Sequence, residues 1–409
     1  MLHTQEIIIK GVNPVMRVYL DHSATTPVDP EVAALMMTYY TEKYGNPSSV
    51  HGFGREAKQA LEQARSQVAE LIGATPKEVT FTSGGTEADN LAILGTAEAL
   101  RKKGKHIITS CIEHHAVLET CEYLEKNGFD LTVIPVNEEG ILSVDEVKKA
   151  IRPDTILISV MHANNEVGSI QPIAEIGRLT KEHGITFHVD AVQSLGKIPI
   201  NVDEMNVDLM TVSSHKIYGP KGVGALYIRK GVRVVPMAHG GGQEKRRRAG
   251  TENTPGIIGF GKACELAGQR MADDTKHQTK LRDKLMNGIS ERIEYVKVNG
   301  PLGEKRLPNN VNVSIRYVEG ESLLLSLDML GIAASSGSAC TSGSLDPSHV
   351  LLAMGLVHEI AHGSLRFTLG RQNTEAEIDY LLEQLPKIVE RLRMMSPLYD
   401  QVIHKQQAQ

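Results

Sequence analysis

The sequence predicts an α/β protein: a large domain around a mostly parallel sheet, joined to a smaller α+β domain. Three observations predict it. Short β-branched runs alternate with helix-period segments through residue 270, as parallel strands with crossover helices require. One long helical stretch follows near 260–295. A second, shorter set of strands and helices then runs to about residue 395.

Each element has its own reason. EVAALMMTYYTEKYG and GREAKQALEQARSQVAELIG carry apolar residues at helical spacing. EVTFTS, HIITSC, LTVIPV, TILISVMH, TFHVDAV and DLMTVSSH read as strands, and PIAEIGRLTKEHG falls between two of them as a crossover helix should. NNVNVSI, SLLLSLDML, HVLLAMGL and SLRFTLG, followed by AEIDYLLEQLPKIVERLRMM, make up the smaller domain. The expected boundaries are 27–270 for the large domain, with 1–26 and 271–409 together forming the small one. No internal repeat or low-complexity tract interrupts this plan.

Composition narrows the function. Lys and Arg number 44 against 49 Asp and Glu, a net charge of −5, which argues against nucleic acid or an acidic membrane surface as partner. The longest apolar stretch, SLLLSLDMLGIAAS, is broken by Asp328, so no transmembrane helix is expected. MLHTQEIIIKGVNPVM has neither a signal-peptide nor a transit-peptide pattern, and cytoplasm is the expected location. Cys111, Cys121, Cys264 and Cys340 include no C-x-x-C pair, so reduced thiols are expected, most of them buried.

Two motifs invite other readings. His358-Glu359-Ile360-Ala361-His362 reads H-E-x-x-H, the pattern of a zinc metallohydrolase. Gly363 and an apparent strand follow at once, and Leu365 and Thr368 stand where the extended motif needs Gly and His. A surface helix end is the plainer reading. Lys245-Arg246-Arg247-Arg248 suggests a nucleic-acid patch, but an exposed loop or subunit contact suits the acidic chain better.

The residues that carry chemistry lie at strand ends. In EVTFTSGGTEADN a strand meets a helix through Gly84-Gly85-Thr86, either a phosphate cradle at a helix N-terminus or ordinary turn punctuation. Asp190 ends the strand of GITFHVDAVQ, as a helix cap or as partner of a protonated ring nitrogen. Ser213, His215 and Lys216 end the next strand, and a lysine held there can form a Schiff base. Together these supply the anchor, electron-sink partner and aldehyde partner that pyridoxal phosphate needs.

From Arg17 to about residue 395 the sequence resembles the cysteine desulfurases of the NifS/IscS type, within the class V aminotransferases. The resemblance runs through VYLDHSATTP, YGNPSSVHGFG, FTSGGTEADN, IEHHAVLE, MHANNEVG, FHVDAVQS, SSHKIYGPKG, HGGGQEKRRRAGT, SSGSACTSGSLDPS and SLRFTLGR. It implies a fold-type-I pyridoxal phosphate transferase with a seven-stranded-type sheet. It further implies conversion of L-cysteine to L-alanine, the sulfur remaining as a persulfide for iron–sulfur cluster assembly or other thio-cofactors. Selenocysteine is an alternative substrate.

By the same resemblance Lys216 would bind the cofactor and shuttle protons, Asp190 would meet the ring nitrogen, and Gln193 the ring hydroxyl. His114 would stack on the ring and exchange protons; His115 matches a variable position. Gly85, Thr86, Ser213 and His215 would hold the phosphate, with Thr251 from the neighbouring subunit, which implies a homodimer. Asn165 and Arg366 would orient the substrate carboxylate. Cys340, in a small-residue loop at about 335–345, would accept the sulfur. No metal is implied for the pyridoxal chemistry, though Cys340 is a possible transient iron–sulfur ligand with a scaffold partner.

Overall fold

Apolar, β-branched runs buried on both faces make the centre of the molecule. In the computed structural model, which describes residues 16–336, 347–397, 399 and 400, every residue of the strand TILISVM is buried. That is the burial expected of a parallel strand covered by helices on both faces.

The chain opens with β1 (Val18–Tyr19), α1 (Pro30–Thr41) and α2 (Gly52–Leu71). Strands and helices then alternate as β2 (Val79–Thr82), α3 (Gly85–Leu100), β3 (His106–Ser110), α4 (His115–Lys126), β4 (Asp130–Ile134) and α5 (Val144–Ala150). They continue as β5 (Thr155–Met161), α6 (Ile173–His183), β6 (Thr186–Asp190), β7 (Leu209–Ser213) and β8 (Gly224–Ile228). After α7 (Thr254–Arg292) come β9 (Val296–Val298), β10 (Asn310–Ile315), α8 (Gly320–Asp328) and β11 (Ile332–Ala333). Last are α9 (His349–Ala353), α10 (His358–His362), β12 (Ser364–Thr368) and α11 (Glu375–Arg393).

The large sheet has seven strands in the order β2-β8-β7-β6-β5-β3-β4. Strand β8 runs antiparallel to both neighbours, and the other pairings are parallel. Alternation of strand and helix does not pick out β8, because it returns from β7 through a glycine-bearing turn with no crossover helix. Parallel strands place their C-terminal ends on one side, where crevices form. Asp190 and Ser213 are the last residues of β6 and β7 there.

A three-stranded antiparallel sheet, β12-β10-β9, and the parallel pair β1-β11 lie beside a second apolar cluster. That cluster gathers Val18 and Leu20 with residues from Leu281 to Val389. A larger cluster holds Val32 through Ala267. Helix α7 feeds both, giving Phe260, Cys264 and Leu266 to one and Leu281, Leu285 and Ile289 to the other. Helix α11 is started by a capping box of Thr374 and Glu377 and buries Ile378, Leu381, Leu382 and Leu385.

Cys121 and Cys264 are buried as expected. Cys111 is not: it lies in the turn just past β3 and is only half-buried. Segment HEIAH forms α10 at the surface, with His358, Glu359 and His362 exposed. Among the described residues no group of three or more His, Cys, Asp or Glu side chains is arranged to hold a metal ion. Nor is any helix among them long and apolar enough to cross a membrane.

Candidate active site

Lys216 leaves β7 through one 3-10 turn, Ser214–Lys216. Its ammonium donates to the carbonyls of Ser23 and Ala24, the latter at 2.8 Å. The N-terminal segment therefore closes over the end of the large sheet. A cavity of about 330 Å³ lies here, and Gly85, Thr86, His114, Asn165, Asp190, Gln193, Ser213, His215, Lys216 and Arg366 all line it. Residues spread over 282 positions of sequence thus meet at one place.

Asp190 is buried, and its Oδ1 accepts the Val192 N–H at 2.9 Å. Burial raises its pKa to about 6 against the pull of that N–H and of the Lys216 ammonium. At neutral pH it is an anion. Asp89, on the buried face of α3, is pushed well above the carboxylate range by burial and by the charge of Asp190. The pair therefore shares its burden unequally, with the proton on Asp89 and the charge on Asp190. Next to Asp89, His188 is neutral, its pKa lowered by burial to about 3, with ring nitrogens bonded to Ser159 Oγ (2.8 Å) and Thr211 Oγ1 (3.0 Å).

His114 caps α4, its Nδ1 accepting the Ala116 N–H at 3.1 Å. Burial and the nearby Lys216 ammonium lower its pKa to about 4, so the ring is neutral and Nε2 keeps its single proton. In this state His114 is a donor at Nε2. Glu113 beside it is fully buried. Its Oε1 accepts the Ser110 hydroxyl and, at 2.9 Å, the Met161 N–H; Oε2 has no partner. Burial raises its pKa to about 8.

Arg366 on β12 is 2% exposed. Its Nη2 donates to Asp21 at 3.0 Å and its Nη1 to the carbonyl of Asn165 at 3.2 Å, while Nε is buried with no partner. A guanidinium with unspent donors facing a cavity suits a carboxylate. Gln193 donates to the Ser23 carbonyl at 3.0 Å and receives Lys197, whose pKa burial lowers to about 7.

At the other end Gly85 and Thr86 begin α3, with Ser213 and His215 opposite. His215 holds Thr25 Oγ1 at 3.2 Å through Nδ1. A second cavity, about 450 Å³, shares these four residues and continues past Ser83, Glu87 and Lys221. The backbone is tight: a Cβ on Gly85 would meet Val192 Cγ2 at 2.9 Å, and one on Gly224 would meet the Gly84 carbonyl carbon at 2.6 Å.

Two expected residues are not in this assembly. Thr251 is exposed and lines neither cavity of its own chain. Cys340 lies outside the described residues. Sequence reasoning passed over Asp21, Asp89, Glu113 and Lys197. Asp89 had a signal, a carboxylate on the apolar period of α3; for Lys197 the sequence offers none.

Comparison with known proteins now bears on this geometry. The family model described as "Aminotransferase class-V" matches residues 18–381. A cysteine desulfurase IscS of Dictyoglomus turgidum is 57% identical over 380 residues, 93% of this chain and 96% of that protein. A solved NifS-like protein is 44% identical, with a TM-score of 0.87 over 92% of this chain and all of that one. SspA, solved in complex with cysteine, is 39% identical with a TM-score of 0.77 over 87% of this chain and all of that one. The match spans both apolar clusters, the cavity and the HEIAH segment, and on it the chain belongs to the class-V aminotransferase family, in its cysteine desulfurase branch.

Proposed function

We propose that the chain is a pyridoxal phosphate-dependent cysteine desulfurase that turns L-cysteine into L-alanine and leaves the sulfur on Cys340. One observation carries this reading: Lys216, Asp190, His114 and Arg366 converge on a single cavity with a helix N-terminus at its far end. The residues fit the cofactor. Gly84 and Gly85 leave bare amides at the start of α3, and Thr86, Ser213 and His215 add polar groups around them, a donor set for a phosphate. Asp190, anionic and buried, fits a protonated pyridine nitrogen. Gln193 keeps a second amide hydrogen for the ring hydroxyl.

The cofactor, when bound, supplies the electron-withdrawing ring that makes an amino acid's α-carbon acidic. The protein does the rest. Arg366 and Asn165 hold the substrate carboxylate, which competes with Asp21 for the guanidinium. Lys216 Nζ, released from the Ser23 and Ala24 carbonyls, takes the α-proton and returns a proton to the carbon skeleton. Asp190 stays ionised throughout because Asp89 keeps the proton. The Cys340 thiolate then attacks the substrate sulfur. An S–S bond forms, the C–S bond breaks with its electron pair left on carbon, and protonation there gives alanine. His114, a neutral ring, serves as a hydrogen-bond donor through Nε2.

A homodimer supports the site. Met37 and Tyr40 on α1, Tyr44 and Val50 in the connection after it, and Phe53 at the start of α2 are all exposed, with Tyr44 and Phe53 stacked at 5.9 Å. Apolar surface of this kind is usually covered by a partner. Thr251, exposed in its own chain, then reaches the partner's phosphate. We place the enzyme in the cytoplasm, delivering sulfur to an iron–sulfur scaffold or another thiol acceptor.

The test is chemical. Borohydride reduction of the holoenzyme and peptide mapping should put the pyridoxyl group on Lys216, and cysteine should yield one alanine per persulfide formed on Cys340. An adduct on another lysine, or alanine release at the parent rate by Cys340→Ala without added thiol, overturns the assignment.

A further inference from the structure

Arg65 on α2 and Glu244, in the connection between β8 and α7, form a buried bidentate ion pair outside the candidate active site. Nη1 meets Oε2 at 2.7 Å and Nη2 meets Oε1 at 2.8 Å, each side chain 3% exposed. Both partners also hold the free edge of the large sheet, where β2 is the terminal strand. Glu244 accepts the Phe81 N–H at 2.9 Å, and Arg65 donates to the Val79 carbonyl at 3.0 Å. The guanidinium lies 4.8 Å over the Phe81 ring. Lys245 adds a bond to the Lys77 carbonyl at 2.8 Å.

The backbone at this point is strained. Glu244, Lys245 and Arg246 have φ of 44°, 57° and 66°, three consecutive left-handed residues with no glycine among them. L-residues do not hold such a run unless surrounding contacts impose it. Covering a sheet edge does not require it, since an ordinary polar side chain serves that purpose. What the run does is turn the chain tightly at the buried anchor, with the Arg246 N–H on the Gln243 carbonyl at 2.8 Å and the Arg247 N–H on the Glu244 carbonyl at 3.0 Å. The next residues pass the wider cavity, where Arg248 Nε meets Glu87 at 2.9 Å, and arrive at exposed Thr251.

We infer that Arg65 and Glu244 are positioning residues that act across the subunit boundary. By pinning the loop 244–251 to the sheet edge of one protomer, they set where Thr251 meets the cofactor phosphate of the other. This rests on the dimer and the shared phosphate site proposed above. A bidentate carboxylate–guanidinium pair fixes direction as well as distance, which a single hydrogen bond does not.

Differentially tagged heterodimers separate the possibilities, with cofactor retained after dialysis as the readout. In the first heterodimer one chain carries Glu244→Gln and the other Lys216→Ala. The only lysine-bearing site then receives an unaltered loop, and cofactor affinity should equal that of a wild-type/Lys216→Ala control. In the second, one chain carries both substitutions and the other none. Its only lysine-bearing site receives the altered loop, and affinity should fall at least about fivefold, the scale of coupling between distinct sites. Glu244→Asp keeps the buried charge and serves in the same arrangement if Glu244→Gln does not fold. Equal affinity in the two heterodimers, or a loss that follows the chain bearing Lys216, overturns the inference while leaving the dimer intact. A parent enzyme that is monomeric and retains its cofactor refutes the dimer itself, and the inference with it.

Discussion

Arg366 shows how little of a site's chemistry a single residue name contains. The motif SLRFTLGR places an arginine on a strand; the structure adds Asp21 as its counter-charge and an Nε with nothing to bind. Arg366→Lys keeps the charge but loses the fork, so the KM for cysteine should rise at least about tenfold with kcat less affected, read by steady-state kinetics. Glu113 is a different case, invisible in IEHHA because burial is a tertiary property. Its pKa is about 8 in the fold against 4.5 in the unfolded chain, so the folded state binds the proton more tightly. Its stabilising contribution is complete below pH 4.5 and lost as pH rises through 8. Glu113→Gln, permanently neutral, should be more stable than the parent near pH 9 by on the order of 2–4 kcal/mol, and little changed at pH 5. Urea unfolding of the cofactor-free protein at both pH values checks this. By contrast His358→Gln with His362→Gln, both at exposed positions of α10, should leave cysteine turnover within about threefold. A larger loss would show that α10 supports the site.

At the level of elements, periodicity reveals what is repetitive. The parallel strands, α2, α6 and α11 are legible because their apolar spacing matches one period over several residues. Strand β8 is not, since an antiparallel return has no crossover helix to announce it. Yet β8 shapes the proposed phosphate end: Gly224, its first residue, lies directly against Gly84. Gly224→Ala should push the turn away from the start of α3 and weaken cofactor binding by at least about tenfold, measured by absorbance titration of the cofactor-free enzyme. Unchanged affinity would show that the turn yields without disturbing the phosphate cradle. The candidate site was legible for a related reason. Lys216, Asp190, Gly85 and Thr86 all close or follow apolar strand runs, and sequence patterns reveal that such runs exist. Asn165 and Arg366 have no such local marker and were reached through the family resemblance.

On the scale of the whole molecule, the surface says what one chain lacks. Met37 and Tyr40 each expose 56% of their surface on α1, in a protein whose proposed phosphate site needs a second chain. Replacing both with Glu should shift the enzyme to monomer in sedimentation and lower cofactor affinity in parallel. A monomer binding the cofactor as tightly as the parent would show that the sites are not shared. Sequence could not supply this, because exposure of an amphipathic helix face depends on what packs against it. The expected boundary near 270, by contrast, already fell within the long helical stretch read from the sequence, and it lies inside α7. We propose that the two apolar clusters mark two domains, with the cut placed within a helix rather than a linker.

That helix has a further consequence. At 39 residues α7 is about 58 Å long and carries an uninterrupted backbone ladder from one core into the other. Loosening either core frays the helix that the other core packs against, so neither melts alone without losing part of its wall. Calorimetry of the full chain should therefore show one heat-absorption peak in place of two, and native-state hydrogen exchange should find the mid-helix amides near 270–280 opening only with global unfolding.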